Sequence, residues 1–220
     1  MITKKEYIDS IRRCYLFNGI ADEDIIEAIR LLKGRIKNYR RDELIQRLDE
    51  GFLKAGLLLS GRIESSFQNE SFNQITVNRL SHGQMFGEAL VCSGIKSSPV
   101  QIRAVDDCVV LFIDLKQVYS PEVKSPLKIT LAANLIISLA DKNLTLNQKV
   151  RILSQKSLRD RVLIYLQTIT PDSSGYVKLP FTQTALAEHL GVNRSALSRE
   201  LGRMQNEGIL KMSHDKLKLI

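Results

Sequence analysis

The 220-residue sequence has no apolar run approaching the roughly 20 residues that a membrane-spanning helix needs. Its opening, MITKKEYIDSIRR, lacks an apolar core ahead of a small-residue cleavage site, so no secretory leader is expected and a cytoplasmic protein is. Cysteine is sparse. Cys14, Cys92 and Cys108 lie far apart and no C-x-x-C occurs, which disfavours a zinc site or an iron–sulfur cluster and leaves structural free thiols as the expectation. Enzyme signatures are missing too: there is no Ser/His/Asp set, no G-x-x-x-x-G-K-[ST] and no G-x-G-x-x-G, so catalysis is not expected. Of three histidines, only His82 precedes the C-terminal third. A barrel-type metal site is therefore short of ligands, His82 reads as a turn residue rather than a haem ligand, and no metal is expected.

What is present is ordinary for a globular chain: 44% hydrophobic and 25% charged residues, enough to bury a core in one large or two modest domains. The net charge of +8 is unevenly dense. Residues 1–151 carry 22 basic and 18 acidic side chains, whereas residues 152–220 carry 10 and 6. The C-terminal third is thus about twice as basic per residue, which favours a polyanionic partner there.

Periodicity divides the chain. Lys5 to Leu32 reads as helical, with a second short helix opening on the acidic Ala21-Asp22-Glu23-Asp24. From Arg35 to about Asp114 short alternating runs are separated by turn residues at Ser60-Gly61, Asn69-Glu70, Ser81-His82-Gly83 and Asp106-Asp107, the pattern of a small barrel or sandwich. After Pro121 and Pro126, Ile129, Ala132, Ile136, Leu139, Asn143, Leu146, Val150 and Leu153 recur at strict 3-4 spacing. That narrow stripe predicts a parallel two-stranded helix pairing, hence a homodimer, with Asn143 at a buried position that fixes register. Expected boundaries are residues 1–125, 126–155 and 156–220.

The last segment reads as a helix from Leu158, a turn at Pro171–Gly175, a strand at Tyr176–Leu179, a helix capped by Thr182, a stop at Gly191, a helix over Arg194–Asn206 capped by Asn193, and a hairpin around Ser213-His214-Asp215. This is the order of a winged helix-turn-helix. Small Ala187 permits close helix approach, Val192 plugs the junction, and Leu190, Leu197 and Leu201 point inward. Arg194, Ser195, Ser198 and Arg199 are left on the outer face, with Thr182 and Gln183 at the start of the preceding helix. Such a face meets base edges in a DNA major groove, where arginine grips guanine with two hydrogen bonds.

With these motifs in place, the chain from about residue 10 to 220 resembles the Crp/Fnr family of bacterial transcription regulators. Val192–Leu201 is similar to that family's recognition helix. Leu59-Ser60-Gly61-Arg62-Ile63, Phe86-Gly87-Glu88 and Ile102-Arg103-Ala104 resemble its cyclic-nucleotide-binding-type β-roll. The resemblance implies an α+β protein: an N-terminal jelly-roll-like β-roll sensor domain, a long dimerisation helix and a C-terminal winged helix-turn-helix. It implies double-stranded DNA, a second copy of the chain and RNA polymerase as partners, and no membrane. A small-molecule effector would bind near Gly87, Glu88, Ser98, Thr145 and Asn147. Two departures bear on specificity. Cyclic-AMP-binding members hold the phosphate with an Arg-Ser pair where this chain has Ser98-Pro99, and proline lacks a backbone donor, so the effector is not expected to be cyclic AMP. Ser195 stands where the best-known members have a glutamate that accepts from cytosine, so the palindromic operator should differ at that step. Two rival readings are an effector-independent regulator controlled by abundance, and a small-molecule or metal-binding barrel with no DNA role.

Overall fold

The computed structural model describes residues 5–51, 54–68, 74–179, 182–213 and 216–220. The expected turns at Asn69-Glu70 and His214-Asp215 lie outside the described residues. The chain forms two compact units, residues 1–140 and 141–220, whose boundary falls within one long helix.

The first unit opens with helices α1 (Lys5–Arg13) and α2 (Asp22–Leu31), joined through a single 3-10 turn at Tyr15–Phe17. Ile25, Ala28 and Ile29 form the buried face of α2, while its acidic first turn stabilises the positive end of the helix dipole. Two four-stranded antiparallel sheets follow. One has the order β1 (Arg35–Tyr39), β8 (Cys108–Ile113), β3 (Ala55–Ser60), β6 (Met85–Phe86); the other β2 (Leu44–Gln46), β7 (Gln101–Ala104), β4 (Arg62–Gln68), β5 (Gln74–Ser81). Strand β3 is buried at nearly every position, so it reads as a continuous apolar run. In β7 only Ile102 and Ala104 are buried, giving the period-two alternation of a sheet with one covered face.

Between β6 and β7 the chain forms a short helix. Gly87, at φ 76°, is the N-cap of a short helix α3 (Glu88–Ser93), because a glycine accepts the left-handed backbone that redirects the chain there. A further short helix, α4 (Lys116–Tyr119), leads to α5 (Leu127–Leu153). Within the first unit α5 buries Leu131, Asn134 and Leu135. The Asn134 amide donates to the carbonyls of Leu16 (3.0 Å) and Asn18 (2.7 Å), so the first half of α5 is held both by packing and by a buried polar anchor.

The second unit holds the rest of α5, then α6 (Leu158–Gln167), β9 (Val177–Lys178), α7 (Gln183–His189), α8 (Arg194–Asn206), β10 (Leu210–Ser213) and β11 (Lys216–Leu219). The strands form one antiparallel sheet in the order β10-β11-β9. Leu186, Ala187, Leu190, Leu197, Leu201 and Met204 pack with Ile152, Val162 and Leu210 into its core. Among the described residues no helix is long and apolar enough to cross a membrane.

Candidate functional site

The exposed end of α8 is built by capping. Thr182 Oγ1 accepts from the Ala185 N–H and starts α7; Asn193 Oδ1 accepts from the Ala196 N–H and starts α8. Between them Gly191 takes φ 70°, and an added Cβ there would lie 3.1 Å from Leu153 Cδ2, so the tight turn suits glycine twice over. Leu197 and Leu201 anchor α8 in the core, which turns Arg194, Ser195, Ser198 and Arg199 to solvent. The Ser195 hydroxyl donates to Asn193 Oδ1 at 2.8 Å, so the cap also orients this side chain. Thr182 is exposed and Gln183 half-buried on the neighbouring helix.

Two arginines that motif reading did not single out hold this frame. Arg159 of α6 donates from Nε to Glu200 (2.9 Å) and through Nη1 and Nη2 to both carboxylate oxygens of Glu207 (2.6 and 2.9 Å). This fork ties α6 to both ends of the exposed helix's C-terminal half and holds the Glu207 carboxyl below its ordinary pKa. Arg161 donates to the Gln155 carbonyl (3.2 Å) and the Leu190 carbonyl (3.1 Å), linking the end of α5 to the helix-turn-helix turn. Separations of 29 to 48 residues give the Arg159–Glu200, Arg159–Glu207 and Arg161–Leu190 contacts no local signal.

The turn before β9 is organised by Asp172. Its carboxylate accepts from the Ser174 hydroxyl, from Lys216 Nζ (2.9 Å), and from the N–H groups of Tyr176 and Ser174 (3.0 Å each). These donors, the Ser174 hydroxyl foremost, hold it well below the usual carboxylate range. A carboxyl held low stabilises the fold above its unfolded value and loses that contribution as pH falls through its folded value. Asp172→Asn should therefore lower the melting temperature at pH 7, and the gap to the parent protein should close as pH falls below about 4. A gap independent of pH would show that the turn depends on the side-chain shape rather than the charge.

In the first unit Glu88 is buried at the start of α3 directly after Gly87. Ser98 is fully buried and its hydroxyl donates to the Val100 carbonyl at 2.6 Å, while its backbone pairs with Glu50 and Asp49. The following Pro99 is exposed. Gln101 donates to the buried Ser66 hydroxyl at 3.3 Å. Arg103 Nε is buried without a hydrogen-bond partner. Thr145 and Asn147 belong to the second unit, where both are exposed and bonded within their own helix, to the Asp141 carbonyl and Asn143 Oδ1 respectively.

Of the eight expected seam residues on α5, Ile129, Ile136, Asn143, Leu146, Val150 and Leu153 are exposed. Ala132 and Leu139 are half-buried against the roll core, because α5 in the first unit also has its own domain to cover. Ile137 and Leu144, outside the expected seam, are exposed as well, so the apolar face is wider than the stripe.

Cys14 and Cys108 are buried and Cys92 is exposed. Burial pushes the buried Cys108 thiol up to about 11, and partial desolvation with the nearby Glu88 raises the Cys92 thiol. Among the described residues no group of three or more His, Cys, Asp or Glu side chains is placed to hold a metal ion. His82 is exposed in its turn and meets Arg13 Nη1 at 2.9 Å.

Comparison with known proteins follows the same division. Residues 36–120 match the cyclic nucleotide-binding domain and residues 160–220 the Crp-like helix-turn-helix domain. No curated protein sequence matches the chain. Similar solved structures include the c-di-GMP responsive global regulator CLP of Xanthomonas campestris, 18% identical over 90% of this chain and 99% of that one, with TM-score 0.58. A CooA mutant from Carboxydothermus hydrogenoformans is 20% identical, covering 90% and 92%, with TM-score 0.57. DNR from Pseudomonas aeruginosa is 18% identical, covering 100% and 96%, with TM-score 0.50. At these identities the structures speak to fold; the two matched domains, in this order and joined by a long helix, place the chain in the Crp/Fnr family, as a DNA-binding regulator with a cyclic-nucleotide-binding-like sensor domain.

Proposed function

We propose that the chain works as a cytoplasmic homodimer that binds a palindromic DNA operator and is controlled by a small molecule other than cyclic AMP. The observation that carries the reading is the capped N-terminus of α8, which presents Arg194, Ser195, Ser198 and Arg199 together on an exposed face. Two such helices about 34 Å apart fit successive major grooves. The exposed apolar residues of α5, Ile129, Ile136, Leu146 and Val150 among them, support pairing of two copies along that helix. In this proposal residues 1–125 act as the sensor, 126–155 as the dimer helix and 156–220 as the reading head.

The effector reading rests on Ser98 and Pro99. The serine hydroxyl is spent on Val100 and the proline has no N–H to offer a phosphate. Gly87 and Glu88 can shape a pocket and accept hydrogen bonds, but a carboxylate cannot neutralise an anion. CLP, with the same fold, is described as responsive to c-di-GMP, so the fold does not dictate cyclic AMP. Binding acts by population shift: the effector must prefer the DNA-competent dimer. Thr145 and Asn147, and contact with RNA polymerase, remain part of this proposal.

The test is selection of genomic fragments by the purified chain with no ligand added, followed by sequencing. A recovered palindrome supports a dimer competent as isolated. Purely sequence-independent, salt-sensitive binding points to reading heads that need the effector. No binding to DNA at any salt concentration would sink the proposal.

A further inference from the structure

Asn193 makes two hydrogen bonds with one atom at the start of α8. Its Oδ1 accepts the Ala196 N–H at 2.8 Å, which caps the helix. The same Oδ1 lies 2.8 Å from Ser195 Oγ. An atom that accepts from a backbone N–H is the amide oxygen and has no hydrogen to give. Ser195 must therefore supply the hydrogen of the second bond, and its one O–H points back at the cap. The amide oxygen has two lone pairs, so capping the helix and holding Ser195 do not compete. Ser195 is exposed, and what its hydroxyl has left to offer outward is lone pairs. An unheld serine hydroxyl rotates to donate or accept as its partner requires. Ser198, one turn further along the same face, is of that kind: it is exposed and its hydroxyl has no hydrogen-bond partner among the described residues.

We propose that Asn193 sets base specificity by holding Ser195 as a hydrogen-bond acceptor. The proposal rests on the DNA-binding reading above and deepens it. In the major groove adenine presents its N6 amine and cytosine its N4 amine as donors, whereas guanine O6 and N7 and thymine O4 only accept. An acceptor-only hydroxyl pairs with an amine. Against a keto oxygen it sets lone pairs facing lone pairs, and both groups lose water without gaining a partner. At the step that Ser195 meets in each half-site, the contacted strand therefore carries A or C, and G or T is rejected. Asn193 touches no base in this scheme. It is a positioning residue that acts through Ser195.

The test uses the full chain and duplexes built on the selected palindrome, with each of the four base pairs placed symmetrically at every half-site step, read by fluorescence anisotropy. Ser195→Ala identifies the step, as the one whose base preference it erases. There the parent protein should bind A and C on the contacted strand roughly 2- to 12-fold more tightly than G and T, the range of one net hydrogen bond. Asn193→Gly keeps a tolerated cap residue and releases the hydroxyl. It should erase the difference at that step and leave the preferences at all other steps in place. Asn193→Asp supplies the same acceptor and should bring the preference for A and C back. A melting temperature of Asn193→Gly close to the parent's shows that the fold is intact. A cap with a purely structural role would weaken every duplex alike and leave the base profile as it was, which overturns the proposal. A parent preference for G or T at the Ser195 step overturns it too, as does a Ser195→Ala variant that changes no step. A parent protein that binds none of these duplexes better than a scrambled one removes the DNA-binding reading itself, and this proposal with it.

Discussion

Ile136→Asp is expected to convert the proposed dimer into a monomer in sedimentation experiments and to abolish high-affinity binding to the proposed operator. Ile136 sits mid-helix on α5 and is 67% exposed, so its side chain contributes little to the fold of its own unit. In a paired helix the same side chain would be buried. Burying one isoleucine is worth about 1.5–3 kcal/mol, and a symmetric dimer counts it twice. An aspartate in its place must be desolvated beside its symmetry mate, which adds further cost. Together these raise the dimer dissociation constant by more than about a hundredfold. A monomer grips only one half-site, so DNA affinity collapses with the dimer. The melting temperature of dilute Ile136→Asp should match that of the dissociated parent chain, and Ile136→Leu should preserve both dimer and binding. A parent protein that is already monomeric at micromolar concentration, or a variant that stays dimeric, would show that the exposed apolar face of α5 serves another purpose.

The second large effect is expected at Arg194. Arg194→Ala should reduce affinity for the selected sequence by roughly 5- to 150-fold, corresponding to the ~1–3 kcal/mol of a bidentate arginine–guanine contact. The loss should be concentrated at one base pair in each half-site, where the variant tolerates all four pairs. The side chain is exposed in the first turn of α8, and the helix start depends on Asn193 rather than on the arginine, so the fold should be unaffected. Equal weakening on every sequence would instead make Arg194 a phosphate contact.

Much of the frame was legible residue by residue. The caps Thr182 and Asn193, the turn glycine Gly191 and the span Arg194–Asn206 follow from short-range chemistry, because a cap and its helix lie within four residues of each other. The apolar repeat of α5 was equally plain, since a 3-4 period needs only local spacing. What the repeat could not reveal was that α5 serves two surfaces. Leu131, Asn134 and Leu135 turn inward to cover the roll, drawing Ala132 and Leu139 half-way with them, and the exposed face widens to Ile137 and Leu144. Nor could it show Asn134 spanning 116 and 118 residues to the carbonyls after α1.

The division between sequence and structure has one physical cause. Element type, caps, turns and the basic bias of the C-terminal third were determined by the sequence alone, because each depends on neighbours a few positions away or on composition. Tertiary structure decided which distant groups meet. It spent the Ser98 hydroxyl on its own loop, set Arg159 between Glu200 and Glu207, and brought Lys178, Lys211, Lys216 and Lys218 onto one face through a strand register that no single segment encodes.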